Sequence, residues 1–223
     1  MIFKTRGIVF RFTKFGETSI IVTIFTEQFG LQSYMVNGVR SKSSKNKIAL
    51  YQPLTLLSLV VYHREHANIE RIKEVSCAHP YRTLMADVKK STLAMFINEL
   101  LNKTVKEESH AGELFQFLFE SLVALDDLRD GYENFHLLFM LKLARYLGFG
   151  VFNANEVLGG RVTDPETEGV LTTLLQSNYD TPLRIANIHR RKLLDLLLRF
   201  YAEHMEHLGE MKSVQVLREV FMS

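Results

Sequence analysis

The stretch Thr18–Val36, TSIIVTIFTEQFGLQSYMV, decides how this chain is read. Two runs rich in β-branched and aromatic residues, TSIIVTIF (18–25) and LQSYMV (31–36), flank a short polar turn ending in Gly30, which is the pattern of an antiparallel hairpin. Working outward, IVFRF (8–12) precedes them across Gly16, while LTLLSLVVY (54–62) and NIERIKEV (68–75) follow, separated by the polar stretch His63–His66. The last run also reads at helical spacing through Ile69, Ile72 and Val75. Five short strands in so few residues suit a small barrel that hides its edges by closing on itself. Between the third and fourth runs lies GVRSKSSKNKIALYQP, too long for a hairpin loop, whose second half has room for a helical turn before Pro53. Strand–strand–strand–helix–strand–strand is the order of an oligonucleotide-binding (OB) barrel.

After Pro80 the period changes from two to about 3.6. Leu84, Val88, Met95, Phe96, Leu100 and Leu101 form one helical stripe, Leu114–Leu125 a second and Phe135–Leu147 a third. Leu193–Leu208 and a short Val214–Val220 complete the set, and Phe149–Leu183 reads as an irregular connection with one helical piece near 169–176. The expected fold class is therefore α+β: a five-stranded OB barrel over 1–78, followed by a mainly α-helical domain over 79–223.

Length and composition narrow the function. At 223 residues, 47% apolar and 23% charged, the chain lies in the globular range. Its longest apolar run, Leu54–Tyr62, is broken by Thr55 and Ser58 and falls far short of the about 20 residues of a bilayer span. The opening MIFKTRG lacks the apolar centre of a secretory signal, and a single cysteine, Cys77, forms no internal disulfide, so the expected location is the cytoplasm. The net charge of +2 conceals a division: residues 1–75 hold eleven Lys and Arg against five acids, a net +6, and the remainder carries −4. A basic first module calls for a polyanionic partner.

No nucleotide-binding glycine loop or nucleophile elbow is present. His204 and His207 stand three apart beside Glu203, Glu206 and Glu210, and read as a polar helix end. Asp126, Asp127 and Asp130 read as a polar loop between helices, with a carboxylate metal site of a nuclease as the competing reading. No metal, cofactor or catalytic group is expected. The informative cluster is Arg40, Lys42, Lys45 and Lys47, four cations in eight residues spaced by Ser and Asn, which suits phosphate contacts. It leaves a strand carrying Tyr34, and Phe10, Phe12 and Phe15 lie elsewhere on the barrel. Cations beside aromatic faces hold single strands, and Tyr34 is chosen first because its hydroxyl tolerates solvent. Arg6, Arg11 and Lys14 complete the expected DNA-contacting set. A single-stranded RNA-binding barrel fits the same residues.

These residues, taken in order, resemble the bacterial DNA repair protein RecO family. The likeness rests on Gly7-Ile8-Val9-Phe10, on Gly16-Glu17 with Ile21-Val22, Thr26 and Gly30, and on Asn37-Gly38-Val39-Arg40-Ser41-Lys42-Ser43. It continues through Tyr51-Gln52-Pro53-Leu54, Phe139–Phe149 (FMLKLARYLGF) and Met211–Leu217 (MKSVQVL). The resemblance implies a recombination mediator of the RecF pathway that is not an enzyme. Such a protein binds single- and double-stranded DNA, anneals complementary strands, binds RecR and contacts the C-terminal tail of single-strand-binding protein while helping RecA load. Lys142 and Arg145 are expected at the rim of the pocket for that tail, because the peptide brings a phenyl ring and carboxylates. Many family members place paired CxxC elements for zinc after the helix matched by 139–149. This chain reads Gly150-Val-Phe-Asn153-Ala-Asn155-Glu there, so a zinc-free variant is expected.

Overall fold

The N-terminal β-branched and aromatic runs form five strands in a computed structural model that describes residues 1–40, 47–64, 67–106 and 111–221. They are β1 (Ile2–Phe15), β2 (Ser19–Thr26), β3 (Gly30–Val36), β4 (Leu56–Tyr62) and β5 (Glu70–His79). Their order around the sheet is β1-β2-β3-β5-β4, and β4 returns to β1 to close the barrel. All pairings are antiparallel except β3 with β5. Among the described residues between β3 and β4, a 3₁₀ turn, Ile48–Tyr51, buries Tyr51 against the barrel interior. This is an OB-fold barrel, with the short helix where the sequence leaves room for it.

Alternation supplies the interior. Val9, Ile20, Val22, Ile24, Leu57, Leu59 and Val61 converge there together with Val39 and Tyr51. β1 is longer than its sequence signal because it pairs twice, Ile2–Ile8 with β4 and Gly7–Phe15 with β2. Gly7, at the overlap, is required by space: a Cβ built there would lie 2.6 Å from Ile24 Cγ2 and 2.8 Å from Leu59 Cδ1. Gly7→Ala should therefore overpack the barrel and lower stability by about 1–3 kcal/mol. Urea titration of the variant beside the parent measures it; an unchanged midpoint would mean that the interior yields.

β5 is a strand, which resolves the ambiguity at 68–75, and it runs on to His79 through two irregularities in its pairing with β4. A bulge between Val9 and Arg11 turns Phe10 outward onto Phe25, whose ring lies 6.3 Å from that of Phe115.

Among the described residues seven α-helices follow: α1 (Val88–Thr104), α2 (Ala111–Asp127), α3 (Phe135–Tyr146), α4 (Ala154–Leu158), α5 (Pro165–Leu175), α6 (Asn187–His204) and α7 (Ser213–Phe221). The expected irregular connection over 149–183 holds two of them. Asp164-Pro165 is a helix start, with the Asp164 side chain accepting from Thr167 N at 2.9 Å and proline in the first turn, where no amide donor is needed. α6 begins six residues before its leucine stripe because His189 and Arg190 are buried, Arg190 donating to Asn134 Oδ1 and to the carbonyls of Ile185 and Phe221.

The chain divides into two compact units that are not consecutive stretches: residues 1–81 with 105–123, and residues 82–104 with 124–223. α2 thus begins in the first unit and ends in the second. No described helix is long and apolar enough to cross a membrane.

Candidate nucleic-acid interface

The β1–β2 turn brings together Lys14 and Arg40. Lys14 is exposed near the end of β1, opposite Ile20, and Phe15 follows it with half its surface open. The segment after β3 is fastened to this turn: Arg40 N donates to Thr18 O at 3.0 Å and Arg40 Nη1 to Gly16 O at 3.1 Å. Ser19 Oγ adds a bond of 3.0 Å to Asn37 Oδ1. Lys14, Phe15 and Arg40 therefore share one turn, although 25 residues separate Phe15 from Arg40 in sequence. Arg11 is exposed one register step past the β1 bulge, and Lys47 is exposed at the entry to the 3₁₀ turn. Lys42 and Lys45 lie outside the described residues.

Two expected members are placed elsewhere. Tyr34 is fully buried, opposite Val22 on the inner face, so it offers no surface for a base to stack on. Its aromatic area outweighs its hydroxyl in deciding which side it takes. Of the three phenylalanines, Phe15 is the exposed one, while Phe10 is buried and Phe12 packs partly on the core. The signal for Phe15 was its position at the strand end, immediately before Gly16, beyond the reach of the barrel interior. Arg6 is committed within its own unit. Its guanidinium pairs with Glu27 through bonds of 2.9 and 2.6 Å, donates to Gln116 at 2.8 Å, and lies 4.9 Å from the Phe119 ring centroid. The hydrogen bond to Glu27 raises the Arg6 pKa, and the same bond lowers that of Glu27, so the pair stays charged. The cleft of about 470 Å³ beside it is balanced in charge, Lys4 and Arg6 facing Glu27 and Glu74 across Ser58 and Ser76.

In the second unit, Lys142 and Arg145 lie on α3. Lys142 Nζ donates to Asn178 Oδ1 at 3.0 Å and sits 5.6 Å from the Tyr179 ring centroid, and that ring stacks on Phe135 at 4.2 Å. Burial, then the neighbouring Arg145 charge, lowers the Lys142 pKa. Arg145 is exposed. A cation beside a half-buried aromatic stack can receive a carboxylate and an apolar group together.

Of the three carboxylates expected in a loop, Asp130 lies in the connection between α2 and α3, whereas Asp126 and Asp127 end α2. Asp126 belongs to the last turn of α2, is 2% exposed, and accepts from the amides of Arg82, Thr83 and Leu84 at 2.9, 2.8 and 2.7 Å. Asp127 instead pairs with Arg82 at 2.7 Å. Among the described residues no cluster of three or more His, Cys, Asp or Glu is placed to hold a metal ion. Residues 150–161 do not fit zinc. Asn153 caps α4 by accepting from Glu156 N at 3.2 Å, Glu156 accepts from Phe152 N at 2.8 Å, and Val157 and Leu158 are buried below. His204 is exposed at the end of α6, as expected of a polar helix end, with Nδ1 2.8 Å from Phe200 O and its ring stacked on Phe149.

Two family models match the chain, Recombination protein O N terminal over residues 1–81 and Recombination protein O C terminal over residues 85–171. The chain belongs to the RecO family. RecO relatives match it from end to end. DNA repair protein RecO of Phocaeicola vulgatus is 33% identical, with 99% of this chain and 100% of the relative covered. Those of Flavobacterium johnsoniae and Flavobacterium psychrophilum are 34% and 35% identical, with 98% of each chain covered. The RecO N-terminal match ends where the barrel does, two residues past β5.

Proposed function

We propose that this chain is a DNA-binding mediator of recombinational repair that acts by holding strands and recruiting proteins, without catalysing bond chemistry. Whole-length kinship to proteins named DNA repair protein RecO carries this reading. The cationic β1–β2 turn supports it. Lys14, Arg11, Arg40 and Lys47, with Lys42 and Lys45 of the same loop, are the proposed phosphate contacts, and Phe15 is the proposed stacking surface. Screening phosphate repulsion there lets two strands approach and sample pairing, which is the physical content of annealing. RecR and single-strand-binding protein are the proposed protein partners, the tail of the latter docking at Lys142, Arg145 and Tyr179. Loading of RecA on coated DNA follows from holding DNA and that tail together.

Neutralising Arg40, Lys42, Lys45 and Lys47 together is expected to weaken single-stranded DNA binding. It should also flatten the plot of log affinity against log salt by up to about 3 units, at about 0.7 per lost contact. Fluorescence titrations at several salt concentrations measure the slope; if it stays the same, the loop is not at the interface. RNA of the same sequence, titrated at fixed salt, separates the RNA-binding alternative, since a marked RNA preference requires 2′-hydroxyl contacts. Annealing of complementary strands coated with single-strand-binding protein tests the mediator role directly.

A further inference from the structure

The seam between β3 and β5 is the shortest ladder of the barrel. Among the described residues it joins Tyr34 to Glu70 and Met35 to Arg71, and it is parallel. The first of these pairs places two polar side chains in the interior, Tyr34 fully buried and Glu70 1% exposed. Glu70 Oε1 accepts from Arg64 N at 2.7 Å and lies 3.7 Å from His63 Nδ1. The His63 ring is held in place: it stacks on Phe29 with centroids 4.0 Å apart and meets the edge of Phe3. Its backbone is fixed as well, His63 N donating to Met1 O and Met1 N donating to His63 O, each at 2.9 Å.

Three buried polar atoms of these residues have no protein partner: Tyr34 Oη, His63 Nδ1 and Glu70 Oε2. Each alone would weaken the fold, since a buried polar group that leaves water unpaired is destabilising. Two belong to one pair of the ladder and the third to the imidazole beside Glu70, and together they have a chemical complement. A tyrosine hydroxyl donates, a carboxylate oxygen accepts, and an imidazole nitrogen accepts when the other ring nitrogen carries the proton. Burial, then the nearby Glu70 charge, raises the Tyr34 pKa, so the hydroxyl keeps its proton. A single water has two protons to give, one to Glu70 Oε2 and one to His63 Nδ1, and a lone pair to receive the Tyr34 hydroxyl.

We propose that Tyr34, His63 and Glu70 form an internal water site that latches the β3–β5 seam of the barrel. The latch compensates for the shortness of the ladder, because it ties the end of β3, the start of β5 and the chain after β4 to one point.

The full-length protein tests it through Tyr34→Phe, Glu70→Met and the double variant, by urea unfolding and site-resolved amide exchange. Under the latch, Tyr34→Phe lowers the folding equilibrium constant about tenfold, and the same change in the Glu70→Met background alters it by less than about twofold. Exchange at Met35 and Arg71 should accelerate about tenfold in Tyr34→Phe, and by less than about twofold for the same change in the Glu70→Met background. A hydroxyl that has no partner predicts the opposite sign, because removing it would leave stability unchanged or raise it; that result overturns the latch. No acceleration at the seam also overturns it. Should Glu70→Met fail to fold, the sign and location of the Tyr34→Phe effect decide alone.

Discussion

Replacing Asp126 by alanine should lower the stability of the helical unit by about 3 kcal/mol, because three amides at 82–84 would lose one shared, charged acceptor. The loss extends beyond those amides. Lys90, itself 2% exposed, donates to the Asp126 carbonyl at 2.8 Å and to Thr83 Oγ1 at 2.6 Å, so the end of α2, the start of α1 and the turn before it share one network. Asp126→Asn keeps one acceptor oxygen and should lose about half as much. Equilibrium unfolding in urea of the two variants and the parent measures both. A small and equal effect in the two would mean that solvent replaces the carboxylate. Burial raises the pKa of Asp126, but the amides of Arg82, Thr83 and Leu84 lower it further, and the net value lies below the ordinary one. A carboxyl with a depressed folded-state pKa contributes stability that is present above its unfolded pKa and is lost as pH falls through the folded one.

The second large effect belongs to His136, and it operates at milder acidity. The ring is fully buried on α3 between Phe96 and Phe221, and burial, assisted by the Arg190 charge, pushes its pKa down to about 3. The unfolded chain takes up this proton near pH 6.5, whereas the folded one refuses it until about pH 3. Protons therefore favour the unfolded state across that window, and stability falls as pH drops through it. The slope approaches about 1.4 kcal/mol per pH unit, or about 2 kcal/mol between pH 7 and pH 5. His136→Leu removes the titrating group, so its stability should change between pH 7 and pH 5 by about 2 kcal/mol less than that of the parent. Parallel slopes for the two proteins would show that the imidazole is protonated without unfolding.

The barrel was legible in sequence because β-branched alternation has a period of two and the connection before Pro53 has the length of an OB-fold crossover. What escaped was the destination of individual polar side chains. Arg6 reads as a free cation until Glu27 and Gln116, 21 and 110 positions away, are brought to it by pairing and packing. Tyr34 was judged by its hydroxyl, although its register opposite Val22 puts it inside. Phe15 ranks behind Tyr34 in sequence, in the company of Phe10 and Phe12, because exposure at a strand end depends on where the barrel stops. Asp164-Pro165 carried both signs of a helix start, a capping acid and a proline in the first turn, yet adjacent glycines made the region look irregular. Asp126 shows the converse: in sequence three acids within five residues resemble solvent-facing polarity, and only the amides of a distant turn give one of them an interior role.

The interleaving of the two compact units bears on how this protein can be dissected or inherited. The backbone changes unit after Tyr81, Thr104 and Val123, so neither unit is a portable cassette. A cut after Tyr81 yields the barrel strands without Phe115 and Phe119, taking one aromatic neighbour from Phe25 and leaving the Arg6 guanidinium without its aromatic bed. Genetic exchange between relatives would have to carry both units at once, and a fragment made to isolate one activity would be judged by an aggregation-prone surface of its own making.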